Sequence, residues 1–199
     1  MDKNTSVSFD NSAKLLSLLI MSHIYIQYYK TKIGELIIGS YEENLCLLDY
    51  RYRRMRDAVD KRIKKGLDAE YTVNDSEILQ NTRKQIDEYL SGERKEFDIP
   101  LLPVGSDFQK RVWESLIEIK YGQVATYLDI ARKLNNEKAV RAVASANGAN
   151  AIAIIIPCHR IIGNDGKLTG YVGGLQIKRQ LLNLERENSE VNLFNYKNK

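Results

Sequence analysis

Cysteine and histidine are scarce in this chain, with two of each in 199 residues. Cys46 and Cys158 cannot build a disulfide framework, and with His23 and His159 they stand at no spacing typical of a zinc site. The chain is therefore read as metal-free and as belonging to a reducing, intracellular compartment. No apolar run approaches the roughly 20 residues that cross a bilayer, so no membrane association is expected. Leu15 to Met21 is apolar but short, follows Asp10 and lacks a small-residue cleavage pattern, which argues against a signal peptide. Residues 1–22 are expected to be an extension, and 188–199 a frayed polar tail. Only three prolines occur, so each of them punctuates. Pro100 and Pro103 mark a boundary within 97–105, and Pro157 interrupts an apolar run.

Charge is also sparse as a net quantity, at +4, but it is unevenly placed. Between Gly105 and Glu185 stand eleven Lys/Arg and seven Asp/Glu, which accounts for the whole excess. The second half of the chain therefore suits a polyanionic partner.

Before the boundary, Ile24–Tyr29, Gly34–Gly39 and Leu45–Tyr50 read as three strands of an antiparallel meander, with Cys46 in the core. The basic stretch from Arg51 to Lys65 reads as a solvated, partly helical face, with phosphate contact as the sharper alternative. Asp75 or Ser76 caps a helix over Glu77–Leu90 that buries Ile78, Leu79, Ile86, Tyr89 and Leu90. After the boundary, Ser106 or Asp107 caps a helix to about Lys120, and Thr126 caps Tyr127–Leu134. A turn at Asn135-Asn136 leads to a helix over Glu137–Ala146. The last two form a helix-turn-helix, a unit that often sets its second helix on nucleic acid. That second helix carries Lys138, Arg141 and the small residues Ala139, Ala142 and Ala144. It can pack tightly against Ile154–Ile156 or lie in a nucleic-acid groove. The expected architecture is α+β: domain 23–99 is a small antiparallel sheet with a helix, and domain 105–187 is mainly helical.

The chemistry centres on Ile154-Ile155-Ile156-Pro157-Cys158-His159-Arg160. Ala151–Ile156 reads as a buried strand or extended core segment that Pro157 ends. Cys158 is then expected at a core edge, half sheltered and half reachable. Glycine-rich turns follow, and then a helix from Leu175 to Glu185. Glu185 lies at the end of that helix, where the dipole disfavours an acid.

Pro157-Cys158-His159-Arg160, with Asn150 before it and Gly170-Tyr171-Val172-Gly173-Gly174, Lys178, Leu181-Leu182 and Glu185 after it, resembles the O6-alkylguanine-DNA alkyltransferase family. Gly122-Gln123-Val124, Thr126-Tyr127 and Arg141-Ala142-Val143 extend the resemblance over about Phe108–Glu185. It implies a ribonuclease H-like outline for the first domain. It also implies direct-reversal repair of double-stranded DNA, in which a monomer moves the alkyl group of O6-alkylguanine, or O4-alkylthymine, onto Cys158. The step is irreversible, in a single turnover, with no cofactor. His159 would act as base through a water, oriented by Glu185. Tyr127, Arg141, Ala142 and Lys138 would bind DNA and flip the nucleotide, and Asn150 would be the hinge. Tyr171, Val172, Gly173 and Lys178 would be pocket groups. The implied location is cytoplasmic or on the nucleoid. Ala151, Ala144-Ser145 and Val172 depart from the family pattern, standing where proline, glycine and a small polar residue are usual.

Overall fold

A computed structural model of the chain describes residues 22–189. The expected extension up to residue 21 and the tail beyond residue 189 lie outside the described residues. Strands β1 (Ser22–Thr31), β2 (Gly34–Tyr41) and β3 (Asn44–Tyr50) form the antiparallel meander, in a register that sets Tyr28 beside Ile37 and Ile38 beside Leu48. Helix α1 (Arg56–Leu67) then crosses to β4 (Ala69–Val73), which pairs parallel to β1 and completes a sheet of order β3-β2-β1-β4. This parallel edge strand has no counterpart in the sequence reading. Ala-Glu-Tyr-Thr-Val alternates but is only five residues long, and its pairing comes from a partner about 45 residues away.

Helix α2 (Glu77–Ser91) covers one face of the sheet with Leu79, Ile86 and Tyr89, and α1 covers the other with Val59 and Ile63. β2 and β3 are buried on both faces, which is why Leu45-Cys46-Leu47-Leu48 is a continuous apolar run. Each fully buried Leu or Ile here contributes about 1.5–3 kcal/mol. Ser76 caps α2 through the amide of Leu79 at 3.3 Å, and Gly92 ends it at φ 88°, a left-handed value that favours glycine.

The second half begins at α3 (Asp107–Ile117), shorter than expected, with a reciprocal Ser106–Gln109 capping box. A second box, Thr126 with Asp129, starts α4 (Tyr127–Lys133). Asn135, at φ 55°, turns the chain into a 3-10 turn (Glu137–Ala139) and then α5 (Val140–Gly148), where one continuous helix was expected. Trp113 Nε1 donates to the Ala146 carbonyl at 2.9 Å and holds α5 against α3. Two short strands, β5 (Ala125–Thr126) and β6 (Ile161–Ile162), pair in parallel, and α6 (Leu175–Glu187) closes the fold. The result is the expected α+β arrangement of a small sheet followed by a helical half carrying a helix-turn-helix. No helix among the described residues is long and apolar enough to cross a membrane.

Ala151–Ile156 is not a strand. It makes a single parallel bridge, Leu48 to Ile152, and the Ala153 amide donates to the Leu48 carbonyl at 2.6 Å. Two tight turns follow. The Ile155 amide bonds the Ala153 carbonyl at 2.9 Å around Ile154, whose φ of 72° is rare for a β-branched residue. The Cys158 amide bonds the Ile156 carbonyl at 2.8 Å around Pro157, whose φ −82° and ψ 59° are those of an inverse γ-turn. The proline does end the apolar run, but by folding it into consecutive turns.

Candidate active site at Cys158

Those turns place Cys158, His159 and Arg160 in one 3-10 turn. Asn150 braces it: its Oδ1 accepts from the Ile152 amide and its Nδ2 donates to the Ile156 carbonyl, both at 2.9 Å. Cys158 is 1% exposed, so the half-reachable thiol expected from the sequence is in fact buried, at the wall of a cavity of about 240 Å³. The loop carrying Tyr171 and Val172 forms one side of that cavity, Tyr127 another, and Ala144, Asn147 and Gly148 of α5 a third. Burial pushes the Cys158 thiol up to about 11, against the pull of the Asn150 side chain. At neutral pH it rests as the protonated thiol.

The adjacent imidazole is equally enclosed, and burial depresses its pKa although Glu185 opposes the shift. His159 Nε2 lies 2.8 Å from Glu185 Oε1. Glu185 also accepts from Tyr89 Oη at 2.7 Å, from Arg160 Nε at 2.9 Å and Nη2 at 2.9 Å, and from the Gly122 amide at 3.2 Å. Burial works against this carboxyl's ionisation, but the hydrogen bond from His159 and the Arg160 guanidinium outweigh it and hold its pKa at about 2. A carboxylate can only accept, so the shared proton sits on Nε2 and the lone pair on Nδ1. Nδ1 is buried and has no hydrogen-bond partner among the described residues. The arrangement is a neutral thiol beside a neutral imidazole whose tautomer is fixed and whose protonated form is stabilised by a buried carboxylate. A nucleophilic cysteine needs this pairing. Glu185, awkward at the end of α6 by the dipole argument, is matched there by Arg160.

The other expected residues fall into three groups. Tyr127, Tyr171 and Val172 line the cavity with Cys158. Arg141 and Ala142 on α5, and Lys138 on the turn before it, are exposed, and the Arg141 guanidinium makes no ion pair or hydrogen bond among the described residues. Lys178 and Gly173 do not line the cavity. The Lys178 ammonium is buried and donates to the carbonyls of Ile161, Thr169 (2.6 Å) and Gly170 (3.4 Å), fastening the Tyr171 loop from behind; burial lowers its pKa to about 8. A Cβ on Gly173 would come within 2.6 Å of the Tyr50 ring, so only glycine lets the loop lie this close to the sheet. Tyr50 Oη also lies 3.2 Å from Tyr171 Oη.

Several contributors were not singled out from the sequence. Tyr89, read as core, bonds Glu185, and Asn147, on the cavity wall, keeps a buried Oδ1 without a partner among the described residues. The basic segment after β3 is partly helical, as expected, and Arg54, Lys61 and Lys65 are exposed, but other arginines of the segment turn inward. Arg53 donates to the carbonyls of Gly148 (2.7 Å) and Asn150 (3.0 Å), and Arg62 donates to that of Ala149 (2.7 Å), so arginines of the first half cap the end of α5. Asp49, fully buried, takes Arg53 at 2.6 Å and Arg56 at 3.0 Å. Burial pushes its carboxyl up, but contacts this short mark it as the charged partner of both arginines. No three His, Cys, Asp or Glu side chains among the described residues could together hold a metal ion.

Fold and site together define a helix-turn-helix protein with a buried cysteine next to a carboxylate-bound histidine. Comparison with known proteins gives the family. The ribonuclease-like domain of 6-O-methylguanine DNA methyltransferase matches residues 24–103, and the DNA binding domain of the same family matches 107–187. A methylated-DNA–protein-cysteine methyltransferase of Methanosarcina acetivorans is 42% identical over 81% of this chain and 98% of its own length. One of Mycobacterium tuberculosis is 50% identical over 85% and 97%. Among solved structures, M. tuberculosis OGT in complex with DNA superposes with TM-score 0.70 at 36% identity, covering 85% of this chain and 96% of that one. The chain belongs to the 6-O-methylguanine DNA methyltransferase family. The enzyme class expected from its motifs is the one its relatives are named for.

Proposed function

We propose that this protein repairs DNA by moving the alkyl group of O6-alkylguanine onto Cys158, once per molecule. The observation that carries this is the buried Cys158 on the wall of a cavity bounded by the helix-turn-helix, with His159 next to it in the same turn and 2.8 Å from the buried Glu185. His159 Nδ1 takes the thiol proton through a water, and Glu185 stabilises the imidazolium. The thiolate then displaces guanine O6 from the alkyl carbon: an S–C bond forms, the C–O bond breaks, and guanine leaves as its anion. That anion needs one proton, which balances the one given up by the thiol. A thioether on a cysteine has no leaving partner in the site, so the protein is spent after one transfer.

The cavity holds one base and not a duplex, so the nucleotide is extruded, at a cost of a few kcal/mol in stacking and pairing. In this reading Arg141 enters the vacated stack from the minor groove, while Ala142 lets α5 approach closely and Lys138 meets phosphate. Tyr127 turns the extruded nucleotide, and Asn150 keeps the end of α5 in step with the nucleophile. Tyr171 and Val172 contact the base, while Gly173 and Lys178 hold their loop. O4-alkylthymine is a second substrate, and a monomer of the cytoplasm or nucleoid is the working form. M. tuberculosis OGT, solved with DNA, supports DNA as partner.

Intact-mass measurement after incubation with an oligonucleotide carrying O6-methylguanine tests the proposal. One methyl increment, mapped to Cys158 and never exceeding one equivalent, is expected. DNA binding without an increment would make the protein a lesion-recognition factor, and turnover past one equivalent would make it a hydrolase.

A further inference from the structure

Four arginines stand in the six residues from Arg51 to Arg56, and three of them have carboxylate partners: Arg51 with Glu35 at 3.0 Å, Arg53 with Asp49 at 2.6 Å, and Arg56 with Asp49 at 3.0 Å and Asp60 at 2.9 Å. Arg54 is the exception. Its guanidinium is exposed and makes no ion pair, hydrogen bond or ring contact among the described residues, yet it lines the Cys158 cavity. Its place is fixed from both sides. Arg53 is tied to the carbonyls of Gly148 and Asn150, Arg56 is tied to Asp49, and Met55 between them is held at φ 66°. Arg54 is therefore a free cation on a pinned loop at the cavity mouth. No acid lines that cavity: Arg53 and Arg54 are the only charged residues of its wall. Met55 and Tyr52, close to it in the chain, are 69% and 78% exposed, and the Tyr52 ring has the Arg51 guanidinium 5.2 Å from its centroid.

An arginine in this setting fits a phosphodiester, which its planar fork binds with two parallel N–H···O bonds. We propose that Arg54 is a DNA-contacting residue supplied by the first domain, and that its guanidinium binds a backbone phosphate of the damaged strand beside the extruded nucleotide. Tyr52 and Met55 provide contact for the neighbouring sugar or base. The inference rests on the proposed function, because it takes the cavity's occupant to be a nucleotide still joined to its strand. It adds a second anchor to the helix-turn-helix, supplied by the first domain next to the end of α5.

The test is equilibrium binding of Arg54→Gln and Arg54→Lys to the lesion oligonucleotide, single-stranded and in duplex, across a salt series. Arg54→Gln is expected to weaken binding roughly five- to tenfold at low salt. It should also flatten the slope of log K against log salt by about 0.9 on duplex and about 0.7 on the single strand. Arg54→Lys should restore the slope but only part of the affinity. Lys84→Gln, which removes an exposed charge from α2 outside the cavity wall, should leave the slope as it was. An unchanged slope with Arg54→Gln overturns the proposal, and a change confined to duplex overturns it by placing the phosphate on the complementary strand. Binding is read separately from methyl transfer by the wild type, so failure of the repair reading would show as an unmodified Cys158 whatever Arg54 does.

Discussion

Glu185→Gln is the substitution with the most to say about the site. Glutamine keeps the size of the side chain but presents an amide to Arg160, His159, Tyr89 and the Gly122 amide, all of which donate to this carboxylate. It also leaves Arg160, 6% exposed, without its counter-charge. The carboxyl lies at about 2 against an ordinary 4.5, and at 1.36 kcal/mol per unit that is on the order of 3 kcal/mol. Breaking a buried ion pair independently suggests about 3–5 kcal/mol. For a chain of this size, the smaller figure lowers Tm by roughly 6–12 °C. The sign follows from the folded pKa lying below the unfolded one. This stability is complete above about pH 4.5 and is lost as pH falls from there to about 2, so the gap between wild type and variant closes across that window. Single-turnover methyl transfer should slow by about a hundredfold, the low end of what a positioned base supplies. Differential scanning calorimetry and rapid-quench transfer assays read the two effects. A variant melting within about 2 °C of wild type, or one transferring at the wild-type rate, would refute the role given to this carboxylate.

Two further outcomes follow from the same geometry. With the thiol raised to about 11 and the imidazole neutral, proton transfer is internal, so the transfer rate should change less than about threefold between about pH 7 and 9. A free thiolate titrating at about 8.5 would give roughly a twentyfold rise there, and observing that rise would show that His159 is not the base. Arg53→Ala should cost about 3 kcal/mol in urea melts followed by Trp113 fluorescence, because it strips a buried partner from Asp49 and frees the Gly148 and Asn150 carbonyls. Arg53→Lys, charged but without the fork, should lie between Arg53→Ala and wild type; a cost under about 1 kcal/mol for Arg53→Ala would mean that the clamp is ornamental.

What could be read from the sequence was what local chemistry decides. Ser76, Ser106 and Thr126 cap the helices they precede because a hydroxyl meets an orphan amide three residues on. The meander showed in its turns, and the neighbourhood of Cys158 showed in its motifs. What stayed hidden depends on partners distant in the chain. β4 is a strand because β1 is beside it. Ile154 adopts its unusual φ because its neighbours are locked by Leu48 and Asn150. Cys158 is buried, where an edge position was expected, because the Tyr171 loop, drawn in by Lys178 and laid on Tyr50, closes over it. Arg53 and Arg62 looked like surface charge because sequence does not show which carbonyls they will meet.

The contact between Gly173 and Tyr50 has one more implication. Cys158, His159 and Glu185, the groups proposed to react, all lie in the second half of the chain, whereas Arg53 and Arg54 of the first half line the chamber that Cys158 faces and Tyr50 backs the loop that closes it. Part of the chamber's entrance is thus set by a stretch of chain that carries none of the groups proposed to react. Substitutions just after β3 can widen, narrow or recharge that entrance without touching Cys158, His159 or Glu185.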